Sequence, residues 1–189
     1  MSDWPEGLPE RHRVAAAAFG ERFRGVGDWS APAPPEGWDA RDVVLHLLEW
    51  LPGLLSSSLG VELPAVDTDG DLAAAWEKRT ADVDRLLATD GDKPYESEFF
   101  GQMTLAEVVD RFYTNDVVMH TWDLARATGQ DDRLPRAFCE QSFAGMEPMA
   151  DVLSSSGQFG PRVPVPDDAD VQDRLIGLIG RDPSWRAPG

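Results

Sequence analysis

The chain has one cysteine, Cys139, and two lysines, Lys78 and Lys93, in 189 residues. A lone cysteine excludes an intramolecular disulfide and a cluster of thiolate ligands, and Cys139 reads as a small core residue. No apolar run approaches the roughly 18 residues of a membrane span. The opening "MSDWPEGLPERHR" lacks the apolar core of an export signal. A cytoplasmic location away from membranes is therefore expected. Positive charge is also scarce: the formal net charge is −17. Nucleic acid and anionic membrane surfaces both need clustered positive charge, so neither is expected as a partner. Arginine replaces lysine almost throughout, and Ala, Gly, Asp and Pro abound, which is the mark of high-GC coding. Strand patterns are nearly missing, as are internal repeats and low-complexity tails.

What is present is enough apolar residue, 42%, for one soluble domain over residues 1–189 with a sizeable core. The periodicity predicts a first helix from about Glu10 to Arg24, with Ala15, Phe19, Phe23 and Val26 in a stripe. A second starts after Asp39, with Asp42 in the acidic position of a capping box. It runs to about Leu59 and is expected to bend near Pro52, which lacks the N–H needed for continuation. A third covers about Asp71 to Ala88, with Leu72, Trp76, Val83 and Leu87 on one side. In the break that follows, Phe99 and Phe100 are expected to be extended. A fourth follows Thr104, with Glu107 completing a second box, and stops at Gly129. A fifth helical stretch covers Arg136 to Ser155, with Pro135 in its first turn. A proline-rich crossing and a short helix end the chain. An all-α bundle follows.

Winding the fourth helix at about 100° per residue puts Leu105, Val109, Phe112, Asp116, His120, Asp123 and Ala127 in one stripe narrower than a right angle. A solvent face does not share its azimuth with Leu105 and Phe112. Buried carboxylates are rare unless paired or metal-bound. Asp116 and His120, at i and i+4, have the spacing of a chelating pair. On the second helix, "DVVLHLLEWLPGLL" is apolar nearly all round except for Asp42, His46 and Glu49. Alone, that stripe reads as a solvent face. Together the two helices offer His46, Asp116 and His120, three ligands and an open position, as catalytic metal sites do. His12, flanked by Arg11 and Arg13, reads as a partly exposed structural residue and a substitute ligand. Most tryptophans read as packing anchors, with Trp50 and Trp122 bordering a pocket.

The segments "GWDARDVVLHLLEW" and "NDVVMHTWDLARATGQ" resemble the two metal-ligand segments of the DinB-like superfamily. They are closest to its actinobacterial branch, related to the N-terminal domain of mycothiol-dependent maleylpyruvate isomerase. That branch opens its second helix with a tryptophan-led W-x-x-R-D-[LV]-x-x-H and closes its fourth with E-x-x-x-H-x-W-D-L-A-R-A-T-G. The ending "FGPRVPVPDDADVQDRLIGLIGRDPSW" resembles the tail of short members. The resemblance implies a DinB-like four-helix bundle with additional C-terminal helical elements. It implies a divalent metal, zinc or nickel, on His46, Asp116 and His120. It also implies mycothiol as co-substrate and a small-molecule electrophile as its partner. Asp123 is placed as an acceptor orienting a ligand histidine. Arg126 is placed either on a substrate carboxylate or in a helix-end salt bridge. Glu49 and Trp50 border the site, and Glu49, like His12, is a substitute third ligand.

The family's usual glutamate is Asp116 here, one methylene shorter, a loss of about 1.5 Å of reach. Asp116 ligates directly if the helices pack closer, or through a water. Flanking Phe112 and Met119 favour the water. The chain is also too short for the separate C-terminal domain of the isomerase, so that particular reaction is not inherited. The expected activity is thiol transfer or thiol-assisted isomerisation. The alternatives are a metal-dependent hydrolase using water and no thiol, or a non-catalytic helical protein with a vestigial site. A monomer and a homodimer are equally compatible with the sequence.

Overall fold

The computed structural model describes residues 3–97, 101–155 and 157–187. Helix α1, Leu8–Arg22, buries Ala15, Ala16 and Phe19 and tightens into a 3₁₀ turn, Phe23–Gly25. Helix α2, Ala40–Leu59, begins at the anticipated capping box. Asp42 N–H donates to Asp39 Oδ1 at 2.9 Å, and Asp39 N–H donates to Asp42 Oδ2 at 3.0 Å. Such a cap is worth about 1 kcal/mol. The helix continues through Pro52 and ends at Gly60, whose φ of 65° is the left-handed stop that glycine takes without strain. Helix α3, Leu72–Asp90, is capped by Asp71 and packs on α1 and α2.

The near absence of strand signals gives way to a small antiparallel hairpin, β1 (Pro94–Ser97) and β2 (Gly101–Thr104). The Phe99–Phe100 pair lies outside the described residues. The fold is otherwise helical, as the sequence implies.

The fourth helix is not one α-helix. Helix α4, Leu105–Val108, starts at the Thr104–Glu107 capping box, and a π-helical segment, Val109–Thr114, links it to α5, Asn115–Thr128. A π turn holds an extra residue relative to an α turn. The inward stripe therefore moves on by one position: Tyr113 is fully buried, whereas Phe112, expected inside, is half-buried. Helix α5 is the centre of the bundle, buried continuously from Val117 to Ala125 and packed against α1 and α2.

The expected fifth helix divides into α6 (Arg136–Met146), a 3₁₀ turn that includes Pro148, and α7 (Ala150–Ser155). Proline cannot donate the N–H that continuation requires. The proline-rich crossing leads to α8, Val171–Leu178, which packs on α6. Cys139 is fully buried in α6, and burial pushes its thiol up. No helix among the described residues is long and apolar enough to cross a membrane.

Candidate metal centre

Helices α2 and α5 cross so that His46 meets Asp116 and His120. His46 Nε2 lies 3.0 Å from Asp116 Oδ2, and His120 Nε2 lies 3.4 Å from Asp116 Oδ1. One ligand atom from each of the three lies within 4.8 Å of the others. Two ligands on a tetrahedral zinc stand about 3.3 Å apart, from bond lengths of about 2.0–2.2 Å. The donor set and its spacing therefore fit a divalent ion. The His46 side chain is 32% exposed, against 5% for His120. Solvent thus reaches the cluster from the α2 side.

The carboxylate of Asp116 is held from several directions. Trp50 donates its indole N–H to Oδ2 at 3.0 Å. Burial opposes the charge, but His120, the hydrogen bond with His46 and the more distant Arg181 outweigh it and hold Asp116 below the usual carboxylate range. Burial likewise opposes a proton on His120, yet the neighbouring Asp116 and Asp123 carboxylates raise its pKa. Since a metal binds neutral imidazole, loading the site expels that proton.

Aromatic rings enclose the cluster. Trp38, at the end of the loop before α2, stacks on His120 at 5.7 Å and 12° and touches His46 at 5.2 Å. Trp50 stacks on His46 at 5.9 Å. Tyr113, brought inward by the π segment, packs against Trp50 and donates its hydroxyl to Leu47 O at 3.0 Å. Apolar walls lower the local dielectric and strengthen each charge interaction inside.

Other anticipated residues fall in different places. Asp123 Oδ2 lies 2.8 Å from His120 Nδ1, the contact of an orienting acceptor. Glu49 is exposed on α2, outside the cluster. Arg126 forms an ion pair with Asp132, lies over the Trp122 ring and donates to Pro183 O at 3.0 Å. Trp122 itself is fully buried. His12, expected to be partly exposed, is 1% exposed. It stacks on the face of Tyr113 at 5.7 Å, and its Nδ1 lies 3.5 Å from Thr114 Oγ1. Its flanking arginines misled: Arg11 reaches Asp110 and Arg13 reaches Glu10, each leaving the imidazole between them to turn inward.

Two residues were not singled out from sequence. Trp38 opens the first motif, but nothing in that motif shows that its ring stacks on His120. Arg181 follows α8, and its guanidinium meets Asp123 at 3.1 and 3.4 Å. Burial alone would raise the pKa of Asp123; Arg181 and His120 together hold it down. No periodicity reports a contact between positions so far apart in the chain.

Two uncharacterized proteins of Mycobacterium tuberculosis, from strains CDC 1551 and H37Rv, are each 27% identical over 178 residues, covering 90% of this chain and 95% of theirs. No solved structure matches the chain. The family model for the mycothiol maleylpyruvate isomerase N-terminal domain matches residues 10–125, a span that holds His46, Asp116 and His120. By that match over more than half its length, the chain belongs to the mycothiol maleylpyruvate isomerase N-terminal domain family.

Proposed function

We propose that the chain, read as one metal-binding domain, is an enzyme that brings mycothiol to a small electrophile, in thiol transfer or thiol-assisted isomerisation. One observation carries the reading: His46, Asp116 and His120 converge within 4.8 Å, with solvent access on one side. Two imidazoles and one carboxylate suit zinc or nickel. A bound divalent ion supplies stabilisation of a thiolate at neutral pH, the nucleophilic form of a thiol.

The chain's own residues do the rest. His46 and His120 present ring nitrogens, and Asp116 contributes one negative charge held in place by Trp50 N–H. Trp38 and Trp50 wall the imidazoles and exclude water from their faces. The protein has no thiol of its own to offer there, since Cys139 is sealed in the core of α6. A reacting thiol must therefore come from a small molecule, which agrees with the family's co-substrate. The electrophile must be small enough to enter beside His46.

Elemental analysis of the purified protein is expected to find one zinc or nickel per chain, lost in His46→Ala and His120→Ala with helicity retained. Calorimetric titration with mycothiol is expected to give heat with the metal-loaded protein and none with the stripped protein. Stoichiometric metal in both alanine variants would remove the site. Equal mycothiol affinity in loaded and stripped protein, or turnover of esters and amides without thiol, would replace the thiol mechanism with hydrolysis or simple binding.

A further inference from the structure

We propose that Arg181 is a positioning residue of the metal centre: by clamping Asp123, it fixes His120 with its proton on Nδ1 and its Nε2 lone pair toward Asp116 and His46. The proposal rests on the reading of the centre given above.

The clamp has two prongs. Arg181 Nη2 meets Asp123 Oδ2 at 3.1 Å and Nε meets Oδ1 at 3.4 Å. Asp123 is 1% exposed, so no bulk water competes for its oxygens. A guanidinium has donors only, and an ionised carboxylate has acceptors only. The oxygen that receives Nη2 also lies 2.8 Å from His120 Nδ1. That ring nitrogen must therefore be the donor. A neutral imidazole carries one proton, which leaves Nε2 bare. Nε2 then faces Asp116 Oδ1 across 3.4 Å. With Nδ1 committed to Asp123, Nε2 is the nitrogen left to face Asp116 and His46, where it shares a proton with Asp116 or, once that proton is expelled, offers its lone pair to a metal.

The chain around Arg181 is built to hold it there. Gly180 ends the last helix at φ 82°, and a Cβ on it would come within 2.5 Å of the Gly160 backbone. A Cβ on Gly177 would come within 2.7 Å of Val163 O, and Val163 N–H donates to Gly177 O at 2.8 Å. Residues 160–163 are thus pressed directly onto the end of α8. The Arg181 backbone N–H is bonded to Ile176 O at 3.0 Å, and Nη1 donates to Ile179 O at 3.1 Å. Beyond it, Arg126 from α5 grips the Pro183 and Trp185 carbonyls. The extra C-terminal elements therefore do more than cover α6: they carry one side chain back to the centre. Arg181 also lies outside residues 10–125, the span shared with the family model.

The test uses the full-length protein, stripped of metal, with labelled histidines. At alkaline pH, the ring nitrogen and carbon shifts of a neutral imidazole report its tautomer. Three histidines are present, and His12→Gln and His46→Gln assign them. The expected result is Nδ1–H for His120 in the natural protein, growth of the Nε2–H form in Arg181→Gln, and partial restoration in Arg181→Lys. Zinc affinity by chelator competition is expected to fall about 10- to 100-fold in Arg181→Gln, less in Arg181→Lys. An Nε2–H tautomer in the unaltered protein overturns the proposal without recourse to any variant. So does an Arg181→Gln protein with lowered melting temperature but unchanged tautomer and zinc affinity, the pattern of a tie that only fastens the tail. Should the natural protein bind no zinc, the functional reading fails, while the tautomer still decides the role of Arg181.

Discussion

His46 on α2 and Asp116 on α5 stand 70 positions apart in sequence and 3.0 Å apart in space. That contact bears on how far the shorter side chain must reach. Phe112 and Met119, as bulky flanking residues, favour a water between Asp116 and a metal; Met119 is indeed buried, but Phe112 is only half-buried. The π segment places Tyr113 at the inward position instead, and Asp116 lies within 3.4 Å of both imidazoles. We therefore expect Asp116 to ligate directly. Asp116→Glu, which adds about 1.5 Å of reach to a site already closed to aspartate, should weaken zinc binding. Asp116→Asn should weaken it by at least about tenfold, about 1.4 kcal/mol. Competition titration checks both; tighter binding by the glutamate variant would restore the bridging water.

A second prediction concerns His12. In the unfolded chain it gains a proton as pH falls through the ordinary value of 6.5, whereas burial, aided by Arg13, depresses its folded pKa to about 4. Between those values the unfolded state binds more protons, so stability falls as pH falls, by about 3 kcal/mol at most. Above 6.5 the contribution is complete. His12→Leu should flatten that part of the acid-stability curve, measured by urea unfolding at stepped pH. An unchanged slope would mean that the imidazole takes up its proton inside the fold as readily as outside.

The parts of this molecule that were legible from sequence are those set by local chemistry. Both capping boxes, Asp39–Asp42 and Thr104–Glu107, depend on four consecutive residues, and both formed where their residue types implied. The inward turn of Asp116 and His120 depends on one α-helical turn, and that too was readable. The π segment was not, because a winding of fixed period cannot register an extra residue. His12 was misjudged because its neighbours in sequence, Arg11 and Arg13, point to other faces of α1. Arg181 escaped notice for a different reason. Its meeting with Asp123 is decided by how α8 seats on α6 and by glycine contacts between residues 160 and 180, which no local pattern encodes.

The last prediction tests an unbalanced charge in the core. Arg79 on α3 is 2% exposed, and its Nε and Nη1 have no hydrogen-bond partner among the described residues. The nearby carboxylate of Asp82 is bonded to Lys78 at 2.9 Å and to Arg85 at 3.1 Å. Burial pulls the Arg79 pKa down, with Tyr113 and Asp82 opposing only in part. A buried cation with two guanidinium nitrogens left unbonded costs more than an apolar side chain of similar length. Arg79→Met should therefore stabilise the fold by about 2 kcal/mol, raising the melting temperature by about 5 °C for a chain of this size. Arg79→Lys should bring no gain, since the charge stays and becomes more strongly hydrated in the unfolded state. Calorimetry on the two variants decides the matter. If Arg79→Met instead lowers the melting temperature, the guanidinium is satisfied in solution, and Arg79 marks a place where water or a small anion is held beside Tyr113.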